Sequence, residues 1–169
     1  MNFFVQKSKS KNIAYISYEK KKIICYVGKN GIGKKNREGD FITPKGCFKL
    51  LKVFYKEKKN LKIKSGIPLF KIKRKFAWCV DSRHKNYNSL VQKPIHCKFE
   101  ELFRNDSLYD VIIVLDYNYP KPIKYKGSAI FLHCSEKRKK FTEGCLAVKK
   151  KDLLKMIELM SPSSKLIIS

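Results

Sequence analysis

Acidic residues, arginine and long apolar runs are what this sequence has least of. Asp and Glu number 14 against 39 Lys and Arg, for a formal charge of +25. Only five of those basic residues are Arg: Arg37, Arg74, Arg83, Arg104 and Arg138. Arg is the side chain that contacts phosphates and bases in bidentate fashion, so its scarcity argues against a specific nucleic-acid partner. The excess of Lys comes with much Asn, Ile, Tyr and Phe, a bias that an AT-rich genome imposes on any protein. A solvated Lys surface, attracted at most to an anionic envelope, is therefore the preferred reading. A basic module that binds nucleic acid or wall polymer without catalysis is the rival class. The longest apolar runs, such as Val111 to Leu115, are far too short for the ~20 residues that cross a bilayer, so no transmembrane segment is expected. The first residues, Met1-Asn2-Phe3-Phe4-Val5-Gln6-Lys7, contain no secretory h-region. That leaves a cytoplasmic protein, or an export route that is not written in this sequence.

Paired cysteines are missing as well. Cys25, Cys47, Cys79, Cys97, Cys134 and Cys145 include no C-x-x-C, which removes the signatures of zinc ribbons and thioredoxin-type redox sites. Most lie among apolar residues, as in Ile24-Cys25-Tyr26 and Trp78-Cys79-Val80, where buried thiols are expected. A zinc site built on His133, Cys134 and Cys145 fails on geometry. Neighbours on a strand point to opposite faces, so His133 and Cys134 cannot share one ion. His84 and His96 read as surface or locally satisfied histidines. No metal and no cofactor are expected.

What is present suits a β-rich fold. A hydrophobic fraction of 43% in 169 residues can bury a continuous core, and the absence of repeats or linkers suggests a single domain over residues 1–169. Residues 12–17 and 22–27 are β-branched and aromatic runs flanking Glu19-Lys20-Lys21, a hairpin pattern. Residues 28–40 form a loop whose Gly28, Gly31 and Gly33 have the wrong spacing for a Walker phosphate cradle. Residues 47–55 alternate as a half-buried strand, 56–60 read as a solvated turn, and 61–94 as irregular. Residues 99–103 suggest a short helix, 109–116 and 128–133 buried strands, and 165–168 a last strand. Leu153, Leu154, Ile157 and Met160 recur with helical period behind Asp152 as candidate N-cap. The expected fold class is mostly β (β-rich α+β) with one substantial helix.

Catalytic form appears at one place. His133 ends an apolar strand, where its side chain can face a cleft, and Thr142-Glu143-Gly144-Cys145 follows shortly before the helix. An imidazole can deprotonate a nearby thiol and stabilise the thiolate, and amides around Cys145 could form an oxyanion hole. The spacing alone favours a packed Cys and a surface His, and the residues by themselves leave both readings open. Trp78, Tyr87 and Asn88 could line a cleft or serve core and turn. Asp81 and Glu143 are either functional acids or local ion-pair partners.

Several segments resemble the catalytic domain of the L,D-transpeptidase (YkuD-like) family. GSAIFLHCSEKRKKFTEGCLAVKKKDLLKMI, residues 127–157, is similar to its active-site segment, which pairs a strand-end His with Ser/Thr-x-Gly-Cys. REGDFITPKGCFKL (37–50), WCVDSRHKNYN (78–88) and FRNDSLYDVIIVLDYN (103–118) resemble further segments of one branch, in the same order. The resemblance implies a cell-envelope peptidoglycan L,D-transpeptidase acting in wall cross-linking, with stem peptides as donor and acceptor and a monomeric chain. Cys145 would be the nucleophile, labelled fast at neutral pH, and His133 its base. Gly144, Thr142 and Ser135 would support the oxyanion, while Arg37, Trp78, Asp81, Tyr87, Asn88 and Glu143 are candidates for substrate contact. Better-known members have His in the middle of the motif and Arg two residues after the Cys. Glu143 and Ala147 stand there instead, so a carboxylate-binding role moves to Arg37 or a Lys, or the substrate differs. An L,D-carboxypeptidase or amidase using the same pair is the alternative within the class. The branch includes members that link two diamino-acid residues, which leaves the bond attacked open.

Overall fold

In the computed structural model, which describes residues 1–59 and 61–169, strands dominate. In chain order they are β1 (Asn2–Lys7), β2 (Ile13–Tyr18), β3 (Lys21–Tyr26), β4 (Ile32–Gly33), β5 (Thr43–Pro44), β6 (Gly46–Tyr55) and β7 (Leu69–Lys71). There follow β8 (Phe76–Cys79), β9 (Leu90–Gln92), β10 (Phe99–Glu101), β11 (Val111–Leu115), β12 (Phe131–Cys134), β13 (Leu146–Val148), α1 (Lys150–Glu158) and β14 (Lys165–Ile168). The large sheet runs β11-β12-β13-β3-β2-β1-β14-β6, and β6 pairs back onto β11, so the sheet closes into a barrel. Closure removes the free strand edges that invite aggregation. β7 branches from β6, and β10-β8-β9 form a separate small sheet.

Alternation decides which side chain goes where. Inward positions such as Phe3 and Val5 of β1, Leu132 and Cys134 of β12, and Leu166 and Ile168 of β14 form the main core. The helix α1 adds Leu153, Met156 and Ile157 to it. Each such side chain contributes about 1.5–3 kcal/mol when fully buried. The outward residues of the same wall, Phe54, Ile112, Val114 and Phe131, meet Trp78, Leu102 and Tyr109 in a second cluster. β11 and β12 are thus covered on both faces, which is why their sequences are apolar without alternation.

The fold is mostly β with one helix, as expected, and the hairpin, the long strand β6 and β14 lie within a residue of their expected places. Other expectations give way. Residues 99–103 are not a helix: Phe99, Glu100 and Glu101 pair antiparallel with Cys79, Trp78 and Ala77, and this pairing overrides local propensity. The strand expected over 128–133 begins only at Phe131, since Ala129 adopts φ 52°. The helix starts at Lys150, with Asp152 in its first turn, favourable there to the helix dipole, instead of capping it. Residues 61–94 hold three short strands, and β1, which the sequence pattern did not reveal, pairs parallel with β14. The turn expected over 56–60 falls in part outside the described residues, at Asn60. Among the described residues no helix is long and apolar enough to cross a membrane.

Candidate active site

Parallel pairing of β12 with β13 sets Leu132 opposite Leu146 and His133 opposite Ala147. His133 therefore shares the outer face with Phe131, whereas Leu132 and Cys134 belong to the barrel core. Cys145 stands just before β13 and also packs on the outer cluster. His133 and Cys145 line one cavity of about 520 Å³, together with Tyr109, Ser135, Thr142 and Glu143.

The thiol of Cys145 donates to the Ala129 carbonyl at 3.0 Å, and the Phe131 N–H points at its sulfur from 3.4 Å. Burial pushes this thiol up to about 12 and Glu100 adds to the rise, opposed by the Phe131 amide and by Lys35. Nδ1 of His133 lies 2.8 Å from the Cys134 carbonyl. A carbonyl only accepts, so Nδ1 carries the proton and Nε2 keeps its lone pair. Burial pushes His133 down to about 4, partly offset by that hydrogen bond. At neutral pH the site therefore rests as thiol and neutral imidazole. Among the described residues no hydrogen bond joins the two side chains.

The turn before Cys145 is tied from several sides. Thr142 Oγ1 donates to the Cys145 carbonyl at 2.6 Å and accepts the Gly144 N–H at 3.2 Å. Thr43 Oγ1 donates to the same carbonyl at 3.2 Å. Gly144 has φ 134°, and a Cβ there would stand 3.0 Å from the Ile42 carbonyl and 3.5 Å from Lys35 Nζ. Gly127 has φ 101°, and a Cβ on it would strike Lys35 Cε at 2.3 Å. Lys35 thus passes against the glycine ahead of β12 and the glycine ahead of Cys145, its ammonium 2.5 Å from Asp40 Oδ1. Burial opposes the Asp40 charge, but Lys35 and the amides of Ile42, Asn36 and Arg37 outweigh it and hold that carboxyl below the usual range.

The opposite wall rests on Asn88. Its Oδ1 accepts Trp78 Nε1–H at 2.9 Å and the Ala129 N–H at 3.0 Å, and its Nδ2 donates to the Asn118 carbonyl at 2.6 Å. The residue whose carbonyl receives the thiol proton is itself positioned by Asn88. Tyr87 donates to Glu38 at 2.6 Å and accepts the Gly127 N–H at 3.0 Å.

The candidates drawn from the sequence thus separate. Cys145, His133, Thr142, Ser135 and Glu143 line the cavity, and Gly144 shapes the turn beneath it. Trp78, Tyr87 and Asn88 are buried behind the wall. Arg37 is exposed and off the lining, and Asp81 accepts the Arg83 N–H at 3.1 Å within its own loop. Residues without a catalytic motif to mark them also line the cavity: Glu38, Glu100, Tyr109, Arg104 and Lys139. Tyr109 donates to Glu100, whose carboxyl burial raises, and its ring meets the His133 ring edge-on at 5.2 Å. Glu100 is legible only once residues 99–101 are read as a strand; nothing in the sequence marked Lys35. Five of the chain's 14 acidic residues line the cavity against two of its 39 basic ones, so this cleft is not a polyanion site.

The family model for YkuD, the L,D-transpeptidase catalytic domain, matches residues 3–168. No curated protein matches the chain.

Proposed function

The chain belongs to the YkuD family of L,D-transpeptidase catalytic domains, cysteine-dependent enzymes of peptidoglycan, and from that premise we propose that Cys145 and His133 carry its acyl transfer. The observation that supports this most is the shared cavity, in which the thiol and an imidazole with a free Nε2 both stand. In the first half-reaction Sγ leaves the Ala129 carbonyl, passes its proton to His133 Nε2 and attacks a stem-peptide carbonyl carbon. The C–N bond breaks, and the leaving amine takes the proton from His133. The thioester on Cys145 is then attacked by the amine of a second stem, whose proton goes to His133 and on to the departing sulfur.

Gly144 N–H is engaged with Thr142, so the Cys145 N–H is the proposed oxyanion donor. Ala147 stands where relatives carry Arg, and Arg104 is committed to Asp106 at 2.6 Å. Lys139, exposed on the lining, is therefore the proposed carboxylate partner in place of Arg37. Glu136, Glu143 and Glu101 on the same lining favour an acceptor that arrives as an ammonium ion and gives one proton up to solvent before its free amine attacks. A peptidoglycan substrate sets the site of action in the cell envelope.

Defined muropeptides test the reading, with products identified by mass spectrometry. A cross-linked dimer made by the native chain and absent with Cys145→Ala and with His133→Ala is the expected result. A shortened stem without dimer would make water the acceptor and the enzyme a carboxypeptidase. Full activity in Cys145→Ala would end the proposal.

A further inference from the structure

Away from the cavity, Cys79, His84 and Cys97 bring two sulfurs and an imidazole nitrogen within 4.8 Å of one another. We propose that these three side chains bind a soft divalent cation of the zinc class, which staples the small sheet to the loop that carries Asn88. The inference stands on its own residues and does not depend on the transpeptidase reading. Cys79 Sγ and His84 Nδ1 are 3.8 Å apart. Tetrahedral zinc with sulfur at ~2.3 Å and nitrogen at ~2.0 Å sets its ligand atoms roughly 3.5–3.8 Å apart, so this pair is already close to that spacing and Cys97, within 4.8 Å of both, closes in by about 1 Å at most. Nδ1 accepts the Asn86 N–H at 3.1 Å and would exchange that amide for the ion.

The three residues converge through pairing, not through spacing. Cys79 ends β8, its Cα partner Phe99 opens β10, and Cys97 lies just before that strand. His84 comes from the loop between β8 and β9. Cys79 is fully buried, whereas Cys97 and His84 are half-buried, which leaves an open side for entry and for a water as fourth ligand. Two thiolates neutralise a divalent ion, and the two thiol protons leave to solvent on binding. The chain has another use for such a staple. One face of this sheet packs through Trp78 onto the second cluster, whereas on the other face Ala77, Cys79 and Val91 are the buried residues among those described, a small core of the kind that metals or cross-links reinforce.

The staple also reaches the active site. Cys79 N–H donates to the Ser89 carbonyl, and Asn88 N–H donates to the Cys79 carbonyl, both at 2.9 Å. An ion on Cys79 and His84 therefore fixes both ends of the segment that delivers Asn88 to Ala129.

The test uses the full chain in a Cys145→Ala background, which removes the active-site thiol as a competing ligand. The protein is reduced, stripped with chelator and titrated with Co²⁺, then with Zn²⁺. One Co²⁺ per chain with a thiolate charge-transfer band, displaced by Zn²⁺, is expected. His84→Ala and Cys97→Ser, both at half-exposed positions compatible with folding, should weaken binding at least tenfold. Zn²⁺ should raise the melting temperature of the parent and not of these variants. No thiolate band, or a band and stoichiometry that both substitutions leave unchanged, would overturn the proposal. So would a Cys79–Cys97 disulfide in the unreduced protein, which would mean a covalent staple in place of an ion.

Discussion

The Cys145 thiol and the His133 imidazole are both shifted by burial toward their neutral forms, one up to about 12 and the other down to about 4. The fast labelling at neutral pH expected from the sequence does not follow from this arrangement, because burial is a property of the assembled cavity. Iodoacetamide labelling of Cys145 should instead keep rising, about tenfold per pH unit, from neutrality past pH 9. A plateau near pH 7 would indicate a preformed ion pair. For His133 the sign runs the other way. A folded pKa below the ordinary ~6.5 keeps this imidazole, the proposed base, unprotonated at every pH above about 4. The acid limb of kcat/KM should therefore fall near pH 4, and a limb near 6.5 would mean that the imidazole is solvated in the working enzyme. Cys134 supplies the control. It sits in the barrel core with its thiol raised by burial to about 11, so Cys134→Ala should lower the melting point by a few degrees and leave activity in place. Cys145→Ala should do the reverse, and paired melting and turnover measurements on the two variants decide between them.

Among the elements, the segment before β12 carries more than its irregular appearance suggests. Asn88 is buried at φ 54° and holds Trp78, Ala129 and Asn118 at once. Asn88→Ala leaves Trp78 Nε1 and the Ala129 amide without their acceptor, and about 2–4 kcal/mol of stability should go with them. Turnover should fall further than folding alone explains, because Ala129 holds the Cys145 thiol, the proposed nucleophile. Unchanged kcat/KM in the folded fraction of that variant would remove Asn88 from the positioning apparatus. How much of this was readable differs by element. β6 and the β2–β3 hairpin are legible because one face of each alternates with the other. β10 is not legible because Phe99-Glu100-Glu101-Leu102-Phe103 has no strand alternation, and only its pairing with β8 makes it a strand. β1 is not legible because Phe3-Phe4-Val5 is a short apolar run without alternation, and only its place between β2 and β14 decides that Phe3 and Val5 face inward.

For the whole molecule, the mostly β class was within reach of sequence and its closure into a barrel was not, while the two proposed catalytic residues, His133 and Cys145, sit on one short stretch around β12 and β13. The cavity's other walls are not legible there, because Glu38, Glu100 and Tyr109 come from three other stretches, one of them in the separate small sheet, that only tertiary packing brings together. Net charge is a whole-molecule property too. With a cleft lined by acids on a Lys-rich exterior, binding to random duplex DNA should be weak, indifferent to sequence and lost steeply with added salt. Sequence-selective binding that survives physiological salt, measured by fluorescence anisotropy, would restore the binding-module class. The most direct test of the central claim is the mass of the intact protein after exposure to a carbapenem, whose strained ring amide stands in for the donor amide. One equivalent should add, map to Cys145, vanish in Cys145→Ala and form far more slowly in His133→Ala; an unmodified chain, or an adduct on the exposed Cys47, would contradict Cys145 as the nucleophile.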